Sequence, residues 1–195
     1  MKPSYKQPLI VRAIDRLSDF AGVVALALVV PLVALSAGNA IARYAFNYSS
    51  NGLLEIQWYL FSAIFLLGAS YALKHNSHVR IDIILHRFSP RGQALIDLIT
   101  LLLFLLPFAC LLTWMGWPFF ATSFTEREMS SDVGGLIRWP VKILVPLGMA
   151  LLALQGVSEI LKRVNAIRTG DYPAAQDQSP VPGMAPADRA EVDHV

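Results

Sequence analysis

His75, His78 and His86 lie close together in the chain, and clustered histidines are the first place to look for a metal. Their spacing matches no strong zinc arrangement. No cysteine stands beside them, and no glutamate occupies the place that a zincin helix needs. Ordinary loop histidines are therefore expected, and no apolar stretch carries a histidine that could ligate a membrane haem. Cys110 is the single cysteine, so a disulfide framework, a Cys-x-x-Cys pair and a cysteine-based metal site are all excluded within this chain. Gly-x-Ser-x-Gly, Walker and Gly-x-Gly-x-x-Gly motifs are absent, as is any aspartate pair within the apolar stretches. The ionisable groups that touch those stretches are Arg43, Glu55, Asp97 and Glu159. Each falls within a turn or two of an end, where a side chain can reach headgroups or water. That placement argues against a proton relay or ion pathway inside this chain, and against an enzyme. No cofactor is expected.

The elements that must position these groups are four long apolar stretches, at residues 20–42, 53–73, 95–117 and 141–161. At about 1.5 Å per residue each can cross the ~30 Å hydrocarbon core of a bilayer. Hydrophobic residues make up 55% of the 195-residue chain and charged residues only 15%, with a mean hydropathy of +0.50, which a soluble core of this size does not require. The expectation is an all-α integral membrane protein with four transmembrane helices. Ala40-Ile41-Ala42 has the small-x-small form of a signal cleavage site. The apolar run before it far exceeds the ~7 to 15 residues of a signal peptide, so an uncleaved anchor is expected.

A net charge of +2 is too small to point to nucleic acid; the positions of the cations are more informative. Lys2, Lys6, Arg12 and Arg16 precede the first span, Lys74, Arg80, Arg87 and Arg91 lie between the second and third, and Lys162, Arg163 and Arg168 follow the fourth. The other side carries Arg43, Arg127, Arg138 and Lys142, offset by Glu126, Glu128 and Asp132. Both termini are thus expected to be cytoplasmic. Trp58, Trp114, Trp117 and Trp139 all fall near the outer ends of their spans in this orientation, where indole prefers to sit.

Two shorter segments read as interfacial amphipathic helices. In residues 1–19, Ile10, Ile14, Leu17 and Ala21 share a face opposite Arg12, Asp15, Arg16 and Asp19. In the inner loop, Ile81, Ile84, Leu85 and Phe88 recur at helical spacing and Pro90 closes the run. The domain plan is a cytoplasmic N-terminal segment (1–19), a four-helix membrane domain (20–165) and a disordered, proline-rich cytoplasmic tail (166–195). Arg43 and Glu55, at the outer edge of spans one and two, form a candidate charge pair. Asn39 shares the helix face of Arg43 and can bond across a helix contact.

Three runs carry a family resemblance: Asn39-Ala40-Ile41-Ala42-Arg43-Tyr44-Ala45-Phe46, Leu54-Glu55-Ile56-Gln57-Trp58, and GASYALKHNSHVRIDII from Gly68 to Ile84. Together with SSDVGGLIRW and VKILVPLGMALLALQGVSEI, from Ser130 to Ile160, they resemble the small permease subunit of tripartite ATP-independent periplasmic (TRAP) transporters, the DctQ-like family. His78-Val79-Arg80-Ile81-Asp82 is the most specific piece. The chain departs from the family where many members place two acidic residues together at the start of span two; here Leu54 precedes Glu55. The resemblance implies a bacterial inner-membrane location and uptake of an organic acid driven by a sodium gradient. It further implies two protein partners, a large multi-span permease subunit (M-type) and a periplasmic solute-binding protein (P-type), with membrane lipid around them. Asn39, Arg43, Tyr44 and Glu55 are then expected to stabilise the outer half of the helix packing, and His78, Arg80 and Asp82 to fix the inner loop against the large subunit or headgroups. The outer loop from Thr125 to Trp139, with a Gly134-Gly135 hinge, is the expected docking surface for the binding protein. A stand-alone anchor or assembly subunit of another membrane complex would carry the same helices.

Overall fold

The computed structural model describes residues 8–48, 50–75 and 89–170. Four helical stretches long and apolar enough to cross a membrane account for nearly all of them. Helix α1 (Leu9–Phe46) is the first span and α2 (Asn51–Lys74) the second. The third is built from α3 (Pro90–Thr100), a π-helical turn (Leu101–Leu105) and α4 (Leu106–Thr125). A short α5 (Trp139–Lys142) leads into α6 (Leu144–Thr169), the fourth.

Local chemistry explains the ends and irregularities. Asn47, at φ 51°, closes α1 in the left-handed conformation that asparagine tolerates, and Gly170 does the same for α6. Ser89 caps α3 by accepting the Gly92 N–H. Pro107 has no N–H to offer the carbonyl four residues back and crowds that turn. Just before it the helix widens, and the Leu106 N–H reaches the Leu101 carbonyl, five residues back.

α6 is the centre of the bundle. It packs on α1, on α2 and on all three parts of the third span, whereas α1 packs mainly on α2 and the third span mainly on α6. Small residues permit the closest approach: a Cβ on Gly148 of α6 would lie 2.7 Å from the Leu66 Cβ and 2.9 Å from the Leu66 carbonyl oxygen of α2. The interior is rich in small and polar residues and the exterior in large apolar ones. Ala21, Ala25, Ala63, Ala109, Ser70, Ser123 and Ser158 are buried, while Phe20, Leu26, Val30, Phe61, Phe65, Phe104, Phe108 and Trp114 are exposed. This inverts the water-soluble pattern, as hydrocarbon solvent requires.

From Leu9 on, the N-terminal amphipathic segment is helical and is the unbroken beginning of α1. At about 1.5 Å per residue α1 is on the order of 57 Å long, well beyond the ~30 Å core. Ile10 and Leu17 face outward, and Asp15, Ser18 and Asp19 turn toward spans two and four. The inner-loop amphipathic helix, the residues His78, Arg80 and Asp82, and the tail beyond Gly170 lie outside the described residues.

Candidate functional site

Two polar constellations stand out, one at each end of the bundle. At the outer end, Asn51, Glu55 and Tyr59 recur every four residues along one face of the start of α2. Each holds a backbone group of the loop that joins α4 to α5. Asn51 Nδ2 donates to the Val133 carbonyl at 3.0 Å, Glu55 Oε2 accepts the Leu136 N–H at 2.6 Å, and the Tyr59 hydroxyl donates to the Ile137 carbonyl at 3.1 Å. The second oxygen of Glu55 accepts the Ser130 hydroxyl, which in turn accepts the Asp132 N–H. Glu55 is only 8% exposed, and these bonds satisfy its carboxylate.

The loop adds its own constraints. Met129 and Ile137 pair as an antiparallel bridge, the Ser130 N–H bonds the Leu136 carbonyl, and the Arg138 N–H bonds that of Glu128. Arg127 and Gly134 take positive φ to make the turns. Lys142 pairs with Glu128 and lies 4.2 Å over the Phe119 ring. The Lys142 ammonium beside Glu128 holds that carboxyl below the usual carboxylate range. Phe124 and Trp139 meet edge to face at 5.5 Å beneath the loop. The two loop glycines differ: a Cβ on Gly135 would lie 2.4 Å from Ser130 Cβ and 2.9 Å from Glu55 Oε1, whereas nothing lies within 4 Å of one added at Gly134.

At the inner end, α1 and α6 share a buried network. Asp15 accepts from Gln155 at 3.1 Å, from the Ser158 hydroxyl at 2.9 Å and from Lys162 at 2.9 Å. Ser18 donates to Gln155 Oε1 at 2.7 Å, and Glu159 accepts from both Gln155 and Lys162. Gln155 is 0% exposed. Lys74, at the end of α2, pairs with Asp19, with His75 3.7 Å from the same carboxylate. Arg163 pairs with Asp97 at 3.4 Å, tying the third span to the fourth. All four spans are thus joined at this end by charge-assisted contacts.

Of the residues singled out from sequence, Glu55 is central to the outer constellation, but its partners are Ser130 and Leu136 rather than Arg43. Arg43 is exposed, Tyr44 is 86% exposed, and Asn39 is half-buried with its Oδ1 unpaired. The structure does not bring these three onto Glu55. Sequence reasoning missed Asn51, Tyr59 and Ser130 outside, and Ser18, Gln155, Ser158 and Lys162 inside. A signal was present: Gln155, Ser158, Glu159 and Lys162 form an i, i+3, i+4, i+7 polar stripe on an otherwise apolar helix. Among the described residues no group of three or more His, Cys, Asp or Glu is placed to hold a metal; His78 and His86 lie outside them.

A TRAP transporter small permease described for Haemophilus influenzae is 37% identical over 62 residues, covering 32% of this chain and 38% of that protein. The C4-dicarboxylate TRAP transporter small permease protein DctQ of Vibrio cholerae is 30% identical over 93 residues, covering 48% of this chain and 40% of that protein. The chain thus spans about two fifths of the length of these curated relatives. The family model for tripartite ATP-independent periplasmic transporters, DctQ component, matches residues 32–166, from within the first span to near the end of the fourth. That match takes in both polar constellations except the start of α1, and with four membrane-crossing helices the chain belongs to the DctQ family of TRAP transporter components, as a multi-pass protein of the inner membrane.

Proposed function

We propose that the chain is the static membrane subunit of a sodium-driven TRAP system for organic-acid uptake, holding the frame of the large permease subunit and helping to dock the periplasmic solute-binding protein. The observation that carries this reading is where the charge lies. Within the family match, residues 56–73, 98–125 and 143–158 contain no charged side chain. A chain with no charged group at its midplane has nothing of its own to bind a carboxylate substrate and a coupling ion there, so transport is assigned to the larger partner.

The exposed apolar flanks supply the surface for that partner and for lipid. Arg43 and Tyr44 project from the outer end of α1 and are assigned to the contact with the large subunit, with Asn39 one turn below. His78, Arg80 and Asp82 are assigned to the inner contact on the strength of the family motif alone, with Arg80 and Asp82 as a local pair. The relative from Vibrio cholerae, whose name specifies C4-dicarboxylates, supports an organic acid as the class of substrate.

The test is reconstitution of the large subunit and binding protein in proteoliposomes under an inward sodium gradient, with and without this chain. Uptake should require the chain, and the chain should co-purify with the large subunit in equal amount. Full uptake without it would remove the scaffold role.

A further inference from the structure

The backbone of the outer loop is held from α2, and several of its side chains project outward. Its backbone groups at Val133, Leu136 and Ile137 are bound by Asn51, Glu55 and Tyr59 from α2. Its own side chains at Arg127, Met129, Ser131, Asp132 and Val133 are exposed, Val133 at 90%. A seven-residue turn with two exposed apolar groups would ordinarily sample many conformations. Side-chain bonds from a rigid helix remove that freedom before any partner arrives.

The occupant that suits this tip is a soluble protein. Phe124 and Trp139 pack together at the base of the loop, and Trp117 and Phe120 continue the aromatic row down α4. Such a row marks the headgroup level and leaves the tip farther out, in water. Met129 and Val133 stand among charges of both signs, Arg127 with Glu126, Glu128 and Asp132. Apolar knobs with charges of both signs around them have the composition of a protein contact; a loop seeking anionic lipid carries an excess of cations.

We propose that Asn51, Glu55 and Tyr59 are positioning residues for docking: they never touch the solute-binding protein, but hold the outer loop so that Met129 and Val133 meet it in one preformed conformation. This rests on the docking role proposed above. It adds that binding strength is set from α2, outside the contact surface.

The experiment titrates the binding protein against the complete transporter in proteoliposomes and follows amide exchange in the loop. Asn51→Asp replaces the donor to Val133 by an acceptor at nearly constant shape, and Tyr59→Phe deletes the donor to Ile137. Each should raise the half-saturating concentration of binding protein about 3- to 10-fold, an effect the size of one lost hydrogen bond, and should speed exchange across residues 130–137. The change should fall on half-saturation rather than on maximal rate. Glu55→Ala should behave in the same way. Glu55→Gln, which keeps an acceptor for Leu136 and offers a donor to Ser130, should restore docking. Val133→Ser should weaken docking without changing exchange. Combined with Asn51→Asp it should give less than the product of the two effects, because one residue acts through the other.

Faster exchange with unchanged half-saturation, while Val133→Ser still weakens docking, would overturn the positioning role and leave the docking surface standing. If Val133→Ser and Val133→Arg both leave half-saturation unchanged, the docking reading falls and the inference with it. Loss of the large subunit on purification of the Asn51 or Tyr59 variants would reassign the loop to subunit assembly.

Discussion

Asp15 shows how much one side chain can organise in a bilayer. Its carboxylate takes bonds from Gln155, Ser158 and Lys162, all on the opposite helix. Removing it leaves an ammonium, an amide and a hydroxyl with lost partners at a buried seam. Asp15→Ala should therefore lower stability by about 1–3 kcal/mol in detergent unfolding. Asp15→Ala with Lys162→Met should cost less than the sum of the single changes, since both delete the same ion pair; strict additivity would mean the pair contributes nothing. Glu128 supplies a pH-dependent counterpart in the outer loop. Lys142 depresses its carboxyl from the ordinary 4.5, so the unfolded chain takes up the proton first as pH falls. The stabilisation is complete above that value and disappears as pH drops through the lower, folded one. The thermal-midpoint advantage of the wild type over Glu128→Gln should be constant at neutral pH and shrink in acid below 4.5. An advantage indifferent to acid would mean that the Glu128–Lys142 pair does not contribute.

At the scale of the helix, close packing replaces the hydrophobic effect as the source of specificity, because lipid is as apolar as the side chains it touches. Gly148 permits α6 to approach the Leu66 backbone of α2, whereas nothing lies within 4 Å of a Cβ added at Gly38 of α1. Gly148→Ala should force the two helices apart and cost about 1–3 kcal/mol. Gly38→Ala should be neutral or slightly stabilising. The same unfolding measurement on both variants separates packing from helix propensity, and equal effects would refute the close-contact account. The π turn before Pro107 belongs here too. It brings Leu105 onto Gly156, where an added Cβ would sit 2.7 Å from Leu105 Cδ2. Pro107 was visible in the sequence as a local defect. That the chain would answer with a wider turn instead of a break follows from the packing of α6 around it.

For the molecule as a whole, the sorting of cations predicts that the start of α1 and the end of α6 face the cytoplasm. In a Cys110→Ala background, Ser131→Cys should react with a membrane-impermeant maleimide in intact cells. Thr169→Cys should react only after permeabilisation. The reverse pattern would invert the topology and move the outer loop away from any periplasmic partner. α6 is well covered by the other spans, and the third span shows most of its surface to its surroundings.

The four spans and the family motif were legible in the order of residues, because insertion into hydrocarbon depends on about twenty consecutive side chains and is decided locally. Glu55, Asp97 and Glu159 were recognisable as ionisable groups near the ends of the spans. Which groups they meet was decided only by the tertiary structure. Glu55 finds its loop partner 81 residues away, and Asp15 finds Lys162 at a separation of 147. A helix with apolar residues all round can present any face to lipid at nearly equal free energy, so its rotation is set by the few polar groups that must find one another. That is why Asp15 and Asp19, read from sequence as part of the polar face of an interfacial segment, turn toward the other spans, and why Glu55 binds the loop instead of Arg43.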